Sequence, residues 1–101
     1  MSVIDDIAAE RQRQTAVEGW TPEHDDMHVD GELAKAAAVY ALHSAQPPKM
    51  VFDAFLNESV PENWPWSKAW WKPKGKRRDL VRAAALIVAE IERLDRLEQN
   101  K

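Results

Sequence analysis

Leu33, Ala36, Ala37, Tyr40, Ala41 and Ser44 recur at the i, i+3, i+4 spacing of one helical face. This pattern predicts a helix over 31–45, opening after Asp30-Gly31 and stopped by Pro47-Pro48, which cannot continue it. So many alanines on one face imply close backbone approach to a neighbour, with Tyr40 as the single bulky wedge. A second helix, 2–17, is predicted from Ser2, a good N-cap with Asp5 three residues on, to an end marked by Gly19. The longest pattern covers 78–98. There Leu80, Ala84, Ile87, Ile91 and Leu94 alternate by four and three, and Val81 and Val88 widen the stripe. That stripe predicts the core helix, roughly 30 Å long at ~1.5 Å per residue.

Between the last two helices the pattern is irregular. Met50 to Leu56 is short and apolar, and with no partner strand in view it is read as a helix near 50–56. Pro61, Pro65 and Pro73 then make Asn57 to Lys76 a long loop, a length associated with function or mobility in small domains. The fold class expected is all-α: three main helices (about 2–17, 31–45 and 78–98), a short apolar helix and a Trp/Pro-rich loop, in one domain over 1–101.

Composition changes little in this picture. With 45% apolar and 31% charged residues, the 101-residue chain has the balance of a folded domain with a limited core, which favours a homodimer or larger homo-oligomer. The absence of cysteine excludes disulfides and thiolate metal sites. No cationic leader or membrane-length apolar run is present, so a cytoplasmic protein without membrane partners is expected.

Charge is more informative, because it is sorted along the chain. Glu18, Glu23, Asp25, Asp26, Asp30 and Glu32 form an acidic block without Lys or Arg. Lys68, Lys72, Lys74, Lys76, Arg77, Arg78 and Arg82 form a basic one against Asp79 alone. The basic block follows Trp64, Trp66, Trp70 and Trp71, so stacking surface and phosphate-directed charge lie side by side. Trp71, Lys72, Lys74, Lys76, Arg77 and Arg78 are accordingly candidate ligand contacts. At the predicted start of the last helix these cations meet unpaired backbone N–H groups, the makings of an anion cradle. A salt bridge to the acidic block, or plain exposed charge, is the alternative for the cations. For the tryptophans, the alternative is a structural cap over an alanine-rich core.

Trp20 and His24 in the acidic block are further candidate ligand contacts. His24 and His28, four apart among carboxylates, suit either a divalent ion or a structural anchor for the turn that Thr21-Pro22 opens.

Glu10 to Gln14, Glu18-Gly19-Trp20-Thr21-Pro22-Glu23-His24-Asp25-Asp26, Gly31-Glu32-Leu33-Ala34, Trp64-Pro65-Trp66, Trp71-Lys72-Pro73 and Arg78 to Arg96 together resemble a family of small phage- and prophage-encoded proteins. More distantly, the layout is similar to MazG-like nucleoside triphosphate pyrophosphohydrolases, all-α enzymes whose acidic helices hold Mg²⁺ against a triphosphate. Only Glu92-x-x-Asp95 matches that family's later motif, and Glu32 stands alone where it has Glu-Glu-x-x-Glu.

Two functions follow as expectations. The first is a phage-type accessory protein that captures a nucleotide-like anion, such as a host defence signal, or docks on a host protein, without catalysis or cofactor. The second, implied by the enzyme resemblance, is a pyrophosphohydrolase with Glu32, Glu92 and Asp95 on Mg²⁺. Binding is favoured, because no complete catalytic constellation is present. Duplex nucleic acid is disfavoured by the acidic series Glu90, Glu92, Asp95 and Glu98.

Overall fold

A computed structural model describes residues 2–47 and 60–99, and the expected helix near 50–56 lies outside them. The described residues are helical with no strand, as the periodicity requires. In chain order they form α1 (Val3–Ala16), α2 (Pro22–Asp26), α3 (Glu32–Ser44), a 3₁₀ turn (Lys68–Trp70) and α4 (Lys76–Gln99).

Local chemistry accounts for the boundaries. Ser2 Oγ accepts from the Asp5 N–H at 3.0 Å, satisfying one orphan donor of α1. Gly19, at φ +78°, turns the chain back so that the Trp20 N–H donates to the Gln14 carbonyl at 2.9 Å. Thr21 caps α2 through the His24 N–H at 3.3 Å, with Pro22 in the first turn. Gly31, at φ +79°, starts α3 in the left-handed region. α4 begins two residues earlier than its apolar pattern, because Asp79, buried in its first turn, accepts from the Lys74 N–H at 2.9 Å and fixes the approach.

The core is small and lies between α3 and α4: Leu33, Ala36, Ala37 and Tyr40 against Ala83, Leu86 and Ala89. Tyr40 meets Arg82, and Glu32 lies near enough to Arg93 to favour its charge, so the two helices run antiparallel. Alanines on both sides permit the close approach that the α3 pattern predicts.

α1 docks differently. Its buried residues are Glu10 and Gln14, while Val3 and Ile4 are exposed. Arg78 donates to Glu10 at 2.6 Å, Arg77 to Asp6 at 2.5 Å, and the Arg82 guanidinium lies 3.7 Å from Glu10. Arg13 from α1 itself adds two hydrogen bonds to the same carboxylate. Burial alone would raise the Glu10 pKa, but the Arg13 hydrogen bonds and the charges of Arg13, Arg78 and Arg82 outweigh it and hold it below the ordinary range.

Of the stripe expected to face the core, Val81 does so but the long row does not. Leu80, Ile87, Ile91 and Leu94 are each 48–52% exposed, and α4 instead buries Val81, Arg82, Ala83, Ala85, Leu86 and Ala89. The physical reason is the alanine seam: Ala83 and Ala89 let α3 come close around the single buried leucine, Leu86, and the row Leu80, Ile87, Ile91 and Leu94 is left on the opposite face.

Candidate functional site: an aromatic and cationic face

The tryptophan-rich segment is shaped by its 3₁₀ turn. Ser67 Oγ accepts from the Ala69 N–H at 3.2 Å, and the chain leaves the turn extended at Trp71 (φ −83°, ψ 107°). Trp70 and Trp71 consequently diverge.

Trp71 packs inward, its ring 4.7 Å from Tyr40, 5.0 Å from His43 and 5.0 Å from Trp64. Its neighbour Lys72 is anchored by backbone: the Lys72 N–H donates to the Tyr40 hydroxyl at 3.1 Å, and Arg82 donates to the Lys72 carbonyl. Trp70 points out, 42% exposed, with the Lys72 ammonium 5.5 Å from its ring centroid.

Trp70 belongs to a larger aromatic surface. Its ring lies 6.3 Å from Trp20, which stacks on His24 at 6.1 Å and 4°. Trp66 leans on Trp20 at 5.6 Å and on His28 at 5.4 Å. The turn at Gly19 and the α2 helix that follows it therefore carry Trp20 and His24 up to the tryptophan segment from a distant part of the chain.

Beneath this surface runs a line of polar contacts. His28 Nδ1 sits 3.0 Å from Glu32, His24 Nδ1 lies 3.3 Å from Asp25, and the two Nε2 atoms face each other at 3.4 Å. Asp25, fully buried, takes a 2.7 Å bond from Arg11, which also reaches Glu92 at 3.2 Å. Burial raises the Glu32 pKa, but hydrogen bonds from His28 and from the Asp30 N–H at 2.6 Å outweigh this and lower it.

The three carboxylates of the magnesium reading are separately engaged or placed. Glu32 and Glu92 lie at opposite ends of the polar line, and Asp95 is exposed further along α4. Among the described residues no group of three or more His, Asp or Glu side chains is arranged to hold a metal ion.

The acidic and basic blocks are also largely engaged with other partners. Glu18 pairs with Arg13, Asp25 with Arg11 and Asp26 with Arg96, whereas Arg77 and Arg78 turn to Asp6 and Glu10 of α1. Asp79 occupies the Lys74 N–H at the head of α4, so that part of the expected anion cradle is already filled by a carboxylate. Lys72, Lys74 and Lys76 remain exposed.

Of the residues selected from sequence, Trp20, His24 and Lys72 are brought to one surface, while Arg77 and Arg78 serve the α1–α4 contact. Trp70 completes that surface, while Trp66, half-buried against the α3–α4 core, and His28 support it from beneath. The i, i+4 spacing of the two histidines was the only sequence signal for His28, and nothing local distinguishes Trp70 from Trp71. No family model, curated protein or solved structure matches the chain.

Proposed function

We propose that the chain is a non-catalytic binding module for a nucleotide-like anion, taken up on the Trp70–Trp20 face. One observation carries this reading: an indole exposed in a small protein, with a lysine ammonium over its ring and a second indole beside it. An exposed tryptophan gains from a stacked base about 1–3 kcal/mol. Lys72 stands where a phosphate of the same ligand would find a charge, and exposed Lys74 extends that charge along the chain. Sequestering a host nucleotide signal is the phage-type role consistent with such a surface.

Titration with a panel of nucleoside mono-, di- and triphosphates, with Mg²⁺ present, tests the reading when pyrophosphate release and tryptophan fluorescence are followed together. Saturable quenching without turnover is expected. Turnover abolished by Glu92→Gln would replace binding with hydrolysis. Silence in both signals would move the search to a protein partner.

A further inference from the structure

The exposed stripe of α4 has the composition of a helix-pairing seam. Leu80, Ala84, Ile87, Ile91 and Leu94 follow the four-three spacing by which one helix seats its side chains into the holes of another. Val88 and Leu97 flank the stripe and are exposed as well. An isolated monomer gains nothing from this row in water, while the interior it does bury is partly ionic.

The ends of the stripe carry opposite charge. Lys76 and Arg77 precede Leu80 on the same side of the helix, and Asp95 and Glu98 lie beyond Ile91 on it. Arg77 holds Asp6, yet its side chain remains 67% exposed. A parallel copy would set Lys76 and Arg77 against their own equivalents, and the acids likewise. An antiparallel copy sets the basic end of each helix against the acidic end of the other and opposes the two helix dipoles favourably.

We infer that the protein forms a two-fold symmetric dimer in which α4 pairs antiparallel with α4 of a second copy, the axis passing near Ile87. Leu80 of each chain then lies by Leu94 of the other, Ala84 by Ile91, and Arg77 by Glu98. Such a contact is self-complementary and closes at two subunits. It leaves the Trp70 face to its own ligand, and neither conclusion depends on the other.

The chain has no cysteine, so single introduced thiols report the geometry directly. Sedimentation of the full chain across the micromolar range is expected to give a dimer. Ile91→Glu should weaken it by about 100-fold while helical circular dichroism is retained. In oxidising buffer Ile87→Cys should cross-link to itself. Leu80→Cys should not, because its two copies stand about 20 Å apart along the antiparallel axis, far beyond disulfide reach. Leu80→Cys mixed with Leu94→Cys should cross-link. A monomer throughout, a dimer unaffected by Ile91→Glu, or efficient self-linking of Leu80→Cys would each overturn the proposal. The cysteine series decides the matter even if Ile91→Glu does not fold.

Discussion

The Arg82 guanidinium stands 3.3 Å from the Tyr40 hydroxyl and 5.3 Å from the centroid of its ring, joining α4 to α3 at the point where the tryptophan segment crosses them. From the same position Arg82 holds the Lys72 carbonyl and approaches Glu10 of α1. Three helices and the loop thus meet on one buried cation.

Tyr40→Phe tests this junction with little change of shape. The Lys72 N–H and one Arg82 donor lose their acceptor, and a loss of about 1–3 kcal/mol is expected for polar groups left unpaired in a part-buried setting. Urea denaturation measures it. A variant as stable as the parent would mean that the hydroxyl is not what ties the loop down.

Glu10→Gln should be costlier, at about 3–5 kcal/mol, because it leaves the buried Arg82 beside Arg13 and Arg78 with their shared negative charge removed. Thermal denaturation of the two proteins in parallel gives the difference. A shift of only a degree or two would place the strength of the α1 contact elsewhere.

Acid sensitivity follows from the same carboxylate. The folded-state pKa of Glu10 lies below its ordinary value of 4.5, as does that of Glu32, and Arg96 lowers that of Asp26 below 3.8. On acidification the unfolded chain therefore takes up these protons first. Their stabilisation is complete above the unfolded pKa values and is lost as pH falls through the folded ones. Stability should be flat near neutrality and decline below about pH 4.5, and Glu10→Gln should make that decline shallower. An identical acid limb in parent and variant would contradict the assignment.

Gly31 offers a purely backbone test. It opens α3 at φ +79°, and an added Cβ would meet nothing within 4 Å, so Gly31→Ala suffers conformational strain without a clash. A loss of about 1–2 kcal/mol is expected from chemical denaturation. A larger loss would indicate a packing role that the open space around Gly31 does not suggest.

Much of the fold was legible because it is written locally. Ser2 and Pro47 declare helix ends within a few residues, and the alanine face of α3 reads directly from its spacing. The destination of the α4 stripe was not legible, since periodicity reports that one face is apolar but not that a distant alanine helix will claim the other. Nor could the partners of Arg78 be read. Glu10 lies 68 residues away, and the nearer acidic block offered a plausible competitor. At the candidate site Trp20, His24 and Lys72 were recognisable by residue type. The division of labour between Trp70 and Trp71 was not, because it depends on one extended residue after a 3₁₀ turn.

The Trp70 face is tested most directly by calorimetric titration of a phosphate-bearing nucleotide into the parent protein and into Trp70→Ala. Saturable binding to the parent, weakened by about 1–3 kcal/mol or roughly 5- to 150-fold in the variant, is the predicted result. Equal affinity in the two proteins, or no saturable binding of any nucleotide to the parent, would contradict it.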